Sequence, residues 1–363
     1  MFPLSTDTAK IVRPMTTPPT TPHAATLPHG ARVLVIRLSA LGDVIFALET
    51  VAALANARPD VRIDFLVEDR FAALLQGHPQ ITTLHVFPRK QKWSIPASLR
   101  RLRKINYDAV LDLHGIQKSA LQVLFSKAAR KLGFAAPGSR EGSAFAYRER
   151  IIVPTPLPHR ADMGYLLLER LGIRAPRTRP RLPAIEPHAR LFADLPRPLV
   201  LLHPGTSSFA EFKRWPVDRF VELATRLSKR GLGIAVSYGP GELALAQPIL
   251  DAVPNARPID GAALALRGLA GVMRRIDCVV AADTGPLHIA AAMGAHCVAL
   301  FGPKDPARYG PRSFDLIGHE VLNHDVPCRP CTRRDCVTPQ CVLGLSVDRV
   351  EAAVVRLLQR TQA

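Results

Sequence analysis

The chain has no apolar run near the roughly 20 residues that a membrane-crossing helix needs. Its first 30 residues are dominated by Thr and Pro and lack the apolar block of a signal peptide, so they read as a disordered leader. Aromatic residues make up only 6% of the sequence, too few for stacked bases to be the main business of the protein. Acidic residues are scarce beside basic ones, 30 Asp and Glu against 48 Lys and Arg, which leaves a net charge of +18. Such a field favours acidic partners: nucleic acid, an anionic membrane surface or an acidic glycolipid. No nucleic-acid-binding module accompanies the charge, so nucleic acid is not expected as a partner. There is no Asp-x-Asp pair placed to hold a divalent cation. Two of the six cysteines, Cys278 and Cys297, fall in apolar strands, and nothing calls for an oxidising compartment; a cytoplasmic location is expected.

What is present is a repeated alternation of short apolar strands and amphipathic helices. At 363 residues, two domains are the default. Strands are expected at Arg32–Leu38, Val61–Val67, Thr83–Phe87 and Ala109–Leu113, with helices at Val44–Asn56, Phe71–Leu75 and Ile95–Lys104 between them. This spacing specifies right-handed crossovers and a parallel sheet. A looser Pro- and Arg-rich region follows, with one helix at Asp162–Leu171. The alternation then restarts with the strand Leu199–His203 and runs through the strands Gly233–Ser237, Ile276–Ala282 and His296–Phe301 to a last helix at Val347–Gln359. The expected architecture is α/β, two doubly wound Rossmann-like domains facing a central cleft. The expected divisions are a leader at 1–30, a first domain at 31–185, a linker at 186–198, a second domain at 199–345 and a closing helix at 346–363.

Four strand-to-helix turns carry residues suited to chemistry. Ser39-Ala40-Leu41-Gly42-Asp43 sets a carboxylate at the carboxyl end of a buried strand, where it can cap the next helix or take a proton from an attacking hydroxyl. Leu202-His203-Pro204-Gly205-Thr206, followed by Lys213-Arg214-Trp215-Pro216, brings a Gly-containing loop and two cations toward a phosphate. Tyr238-Gly239-Pro240-Gly241-Glu242 places an acid where ribose hydroxyls are commonly held, though a glutamate favoured by the helix dipole explains it equally. Asp283-Thr284-Gly285-Pro286-Leu287-His288 opens a helix whose free N–H groups suit a diphosphate. There Asp283 is a candidate helix cap, and His288 is either a ligand or a satisfied core histidine.

Together with Leu300-Phe301-Gly302-Pro303-Lys304-Asp305-Pro306, these motifs resemble glycosyltransferase family 9, the ADP-heptose:lipopolysaccharide heptosyltransferases and their relatives. The resemblance runs in order from about Arg32 to the last helix. It implies a GT-B fold and inverting transfer of heptose from ADP-heptose to a hydroxyl of the lipopolysaccharide inner core, on Kdo or heptose. It further implies Asp43 as the base, Lys213 against the donor phosphate, Glu242 on the nucleoside, and Thr206, Asp283, Thr284, Gly285 and His288 lining the donor site. No cofactor is implied for catalysis. Within the same fold, transfer to protein or from another nucleotide sugar is the alternative; from another class, a nucleotide-sugar epimerase.

Two further features stand outside these motifs. Cys328-Arg329-Pro330-Cys331, with Cys336 and Cys341, has metal-like spacing, either for a structural Zn or Fe or as reduced structural cysteines. Arg89, Lys90, Lys92, Arg100, Arg101, Arg103 and Lys104 form a basic run with no acid among them, Trp93 included. Lys90, Lys92, Arg100 and Arg101 are the candidate contacts to a lipid A-linked, phosphorylated acceptor. The same run suits peripheral attachment to the anionic inner membrane. The sequence carries no signal for oligomeric state.

Overall fold

The computed structural model describes residues 26–90 and 94–362. Lys92 and Trp93 of the basic run, and residues 1–25 of the expected leader, lie outside them.

The first half comprises, in chain order, β1 (Arg32–Ile36), α1 (Leu41–Ala57), β2 (Arg62–Glu68), α2 (Asp69–Leu75), β3 (Thr83–Phe87), α3 (Ser94–Leu102), β4 (Asn106–Asp112), α4 (Gln117–Phe125), β5 (Lys127–Phe134), β6 (Glu149–Ile151) and α5 (Asp162–Arg170). The second comprises β7 (Leu199–His203), α6 (Val217–Lys229), β8 (Gly233–Tyr238), α7 (Leu243–Ala252), β9 (Arg257–Asp260), α8 (Gly261–Met273), β10 (Cys278–Ala282), α9 (Gly285–Met293), β11 (His296–Phe301), α10 (Pro306–Tyr309), β12 (Glu320–Asn323), α11 (Gln340–Leu343) and α12 (Val347–Gln362). Each half forms one six-stranded sheet, ordered β3-β2-β1-β4-β5-β6 and β12-β11-β10-β7-β8-β9, and all pairings are parallel. The central strands are apolar throughout because helices cover both faces of each sheet. No described helix is long and apolar enough to cross a membrane.

The structure adds elements where the sequence reads as loose. α4, β5 and β6 occupy 117–151, and β9 and β12 are short edge strands. β5 reads Lys-Ala-Ala-Arg-Lys-Leu-Gly-Phe, polar through its first half, because only its end is deeply buried. Packed chain also begins ahead of residue 31: Leu27 is buried in the core, and its carbonyl accepts from Arg58 at 3.1 Å.

The two halves meet along a continuous apolar seam, since one core cluster holds α1 and α2 residues with α8 and α9 residues. α1 and α9 cross at glycines. A Cβ on Gly42 would collide with the His288 ring, and one on Gly285 would lie 2.5 Å from Leu41. These glycines serve close helix approach. The crossing brings the carboxyl ends of β1 and β10, and the first turns of the helices that follow, to one place.

Candidate functional site

Asp43 sits in the first turn of α1, and Ala40 at the helix cap offers no side-chain bond. Its carboxylate is held by two guanidiniums: Oδ2 lies 2.6 Å from Arg37 Nη2, and Oδ1 accepts from Arg160 Nε at 3.3 Å. Arg37 follows β1, is 3% exposed, and also donates to the Leu113 carbonyl. Burial alone would raise the Asp43 pKa, but Arg37 and then Arg160 outweigh it and hold the group well below the usual carboxylate range. Burial lowers Arg37 in turn, to about 10. His114, just beyond β4, is within electrostatic reach of Asp43; burial and the Arg37 charge push it down to about 2, so it is neutral at ordinary pH. Its Nδ1 has no partner among the described residues.

Arg160 links this carboxylate to the other half. Its backbone N–H donates to the Arg308 carbonyl at 2.9 Å, and the neighbouring His159 ring nitrogen Nε2 lies 3.0 Å from the Gly310 carbonyl oxygen. The residue that holds Asp43 is therefore anchored beside α10.

Asp283 does not cap α9, contrary to the expectation. The cap position is Thr284, and Asp283 instead forms an ion pair with Lys213, Nζ to Oδ2 at 2.5 Å, with His288 Nε2 3.5 Å from Oδ1. Burial would raise the Asp283 pKa; His288 and Lys213 together hold it below the usual value. His288 is 4% exposed, stacks edge-on against Phe46 of α1 with ring centroids 4.8 Å apart, and has a buried, unpartnered Nδ1. It is at once a seam residue and a partner of Asp283.

Lys304 belongs to the Leu300–Pro306 motif. It is half-buried on the loop after β11; burial and the adjacent Lys213 charge lower its pKa. Two ammonium groups within reach of each other repel, and an anion close to both would relieve that repulsion. The hydroxyls of Thr206 and Thr284 are buried without partners, as expected of groups that complete their bonding on a ligand.

Glu242 caps the entry to α7 and folds back over two glycine loops. Its Oε2 accepts the Gly239 N–H at 2.8 Å, and a Cβ at Gly205 would collide with the carboxylate. One oxygen is thereby fixed and the other left for a further donor. Arg214 does not stand beside Lys213 as a second phosphate cation: it bonds the Thr206 carbonyl at 3.4 Å and pairs with Glu211 at 3.6 Å. Trp215 is fully buried, its Nε1 donating to the Leu345 carbonyl at 2.9 Å, so that part of the motif anchors the fold.

Lys90, Arg100 and Arg101 are exposed on the first half, and the charges that hold Asp43 down are those of Arg37 and Arg160 instead. Cys328 and Cys336 are exposed, Cys331 is half-buried and Cys341 is buried; all are free. Among the described residues no three His, Cys, Asp or Glu side chains gather as a ligand set. The cysteine loop buttresses Lys304: the Cys331 N–H donates to the Pro303 carbonyl at 2.8 Å, and Arg329 Nη2 to the Lys304 carbonyl at 3.2 Å.

Comparison with known proteins agrees with this geometry. A lipopolysaccharide heptosyltransferase 1 of Pseudomonas aeruginosa is 29% identical over 325 residues, covering 84% of this chain and 87% of that protein. The glycosyl transferase family 9 structure from Veillonella parvula superposes with a TM-score of 0.79 at 23% identity, over 93% of this chain and 99% of that one. The Escherichia coli heptosyltransferase WaaC with ADP-2-deoxy-2-fluoro heptose gives 0.69 at 21%, over 89% and 99%. The profile of glycosyltransferase family 9 (heptosyltransferase) matches residues 96–341, and the chain belongs to that family of glycosyltransferases.

Proposed function

We propose that this glycosyltransferase moves heptose from ADP-heptose to a hydroxyl of the lipopolysaccharide inner core, with inversion at the anomeric carbon. The observation that carries the reading is the meeting of two unlike strand-to-helix turns. One holds a carboxylate ringed by arginines; at the other Asp283 pairs with Lys213, and the loops after β7 and β11 bring Lys304 within electrostatic reach and the unfilled hydroxyls of Thr206 and Thr284 beside it.

On this reading Lys213, Lys304, Thr206, Thr284 and the first turn of α9 receive the diphosphate, and the free oxygen of Glu242 takes a ribose hydroxyl. The acceptor hydroxyl attacks the anomeric carbon from the face opposite ADP. Asp43 takes its proton as the new C–O bond forms, and the electron pair of the breaking C–O bond leaves on the β-phosphate. Negative charge then grows on ADP, where the two lysines and the helix N–H groups already point, so little reorganisation is needed. A carboxylate with so low a pKa is a weak base toward a resting hydroxyl, but the hydroxyl turns acidic as its oxygen bonds to carbon. Each Asp43 oxygen keeps a lone pair beyond the one its arginine uses. His114, neutral and unpartnered, can accept or donate one bond to the acceptor sugar.

The charge that the leaving group needs is supplied by fixed cations, and no cofactor enters the scheme. A nucleotide-activated donor and a lipid-borne acceptor put the enzyme on the cytoplasmic side, peripheral to the inner membrane. The test is ADP release from ADP-heptose with and without Kdo-bearing lipid A. Release that requires this acceptor supports the assignment; release with no acceptor, or none with this donor, refutes it.

A further inference from the structure

One face of the first sheet is covered by α3, α4 and the 3₁₀ turn Ser143–Ala146, packed side by side over Leu34, Ile36, Tyr107 and Val110. Ser98 Oγ donates to Gln122 Oε1 at 2.8 Å and pins α3 to α4. The inner surface of this layer is ordinary core. The outer surface is not ordinary solvent-facing protein.

Leu124 and Phe125 at the end of α4 are 41% and 43% exposed, and Phe145 on the adjoining turn is 50% exposed. Scattered single apolar residues need no explanation, but three large ones on adjoining elements do. Around them Arg100, Arg103, Lys104 and Lys127 are exposed, while Arg101 is tethered to the Val86 carbonyl at 2.7 Å. Neither α3 nor α4 contains an acid. The acids between them in sequence, Asp108 and Asp112, belong to β4; Asp112 is buried, and Asp108 accepts the Arg32 N–H at 2.8 Å. Glu141, which accepts the Gln117 N–H, is the exposed acid at the edge of the layer.

Apolar side chains set among unopposed cations narrow the occupant. A second copy of the same face would bring like charges together. A polyanion such as nucleic acid would satisfy the cations and leave the leucine and phenylalanines in water. An anionic lipid surface takes both, with headgroups meeting the cations and the acyl boundary meeting the apolar groups.

We propose that the α3–α4 layer is the face by which this protein docks on anionic lipid, with Leu124, Phe125 and Phe145 entering the headgroup boundary and Arg100, Arg103, Lys104 and Lys127 meeting the headgroups. This deepens the proposed function and rests on it for its purpose: α4 runs from the loop that carries His114 to Leu124 and Phe125, so the docked face belongs to the half that holds Asp43 and keeps that half at the surface that carries a lipid-borne acceptor.

The test is flotation of the full chain with phosphatidylglycerol-containing vesicles and with pure phosphatidylcholine vesicles, at low and high salt. Two variants are compared, Leu124→Ser/Phe125→Ser/Phe145→Ser and Arg103→Gln/Lys104→Gln/Lys127→Gln, each checked by melting temperature. The expected result is salt-sensitive binding to anionic vesicles only, weakened about ten-fold or more in either variant. Turnover of a delipidated, water-soluble acceptor should be unchanged in both. Wild-type flotation that ignores lipid charge, variants that float like wild type, or a lipid-free dimer that the apolar variant breaks would each overturn the docking face. Vesicle binding as expected, with no transfer to any Kdo acceptor, would keep the face and refute the functional reading instead.

Discussion

Asp43 and Asp283 occupy corresponding places, each at the turn after a buried strand in the middle of its sheet, yet their surroundings divide the labour. Asp43 is gripped by arginines of its own half, one on each oxygen. Asp283 shares its oxygens between a lysine and a histidine, and that lysine's charge acts on a second lysine, Lys304. Arginine is charged at any working pH and its fork orients a carboxylate rigidly. Lysine is a mobile point charge suited to following a phosphate. The same turn is therefore built once to position a base and once to receive a leaving group. What joins them is the glycine-to-side-chain crossing of α1 and α9, where Gly42 meets His288 and Gly285 meets Leu41.

The comparison is broken most severely by Asp43→Asn. Turnover should fall by about 10²–10⁴, the usual worth of a positioned general base, with the KM for the nucleotide sugar little changed. Steady-state kinetics at saturating acceptor check it. Next comes Arg160→Ala. Removing one of the cations that hold Asp43 down raises its pKa, so the acid limb of kcat/KM should move to higher pH, and Arg160→Lys should move it part of the way back. A pH profile unchanged in the alanine variant would mean that Arg160 does not act on the base.

Gly42→Ala drives a methyl group into the His288 ring and should cost about 1–3 kcal/mol, read as a lowered denaturation midpoint. Adding His288→Ala should return part of that loss, because it vacates the space. The smallest effect concerns Glu49, which is 1% exposed in α1 and lies 3.5 Å from Arg312 of the second half. Burial raises its pKa to about 7 in spite of that arginine. A carboxyl raised on folding favours the native state below its unfolded pKa, and that advantage fades as pH rises through the folded value. Stability should therefore fall between about pH 4.5 and 7 by at most about 1.4 kcal/mol per pH unit, and Glu49→Gln should flatten that slope in denaturant titrations.

Much of this was legible in the sequence. Period and length alone mark the strands Thr83–Phe87, Leu199–His203 and His296–Phe301 at their observed bounds. The four chemical turns were legible because Gly, Asp, Thr and Pro cluster after apolar runs. The missing parts fall into two kinds. β5, β6, β9 and β12 are short, polar or at edges, so the alternating apolar signal is absent from them. Arg160 and His114 reach Asp43 only through the tertiary fold, from loops far along the chain. Arg37 did leave a signal: it is a lone charge between Ile36 and Leu38 at the end of an apolar strand, where only a buried partner makes it tolerable.

The most direct measurement is ADP affinity by calorimetry for wild type, Asp43→Asn and Lys304→Met at low salt. The division of labour predicts affinity within about two-fold of wild type in the first variant and at least about ten-fold weaker in the second, a difference of ~1.4 kcal/mol. Equal losses in both, or a loss confined to Asp43→Asn, would contradict the assignment of one turn to the base and the other to the leaving group.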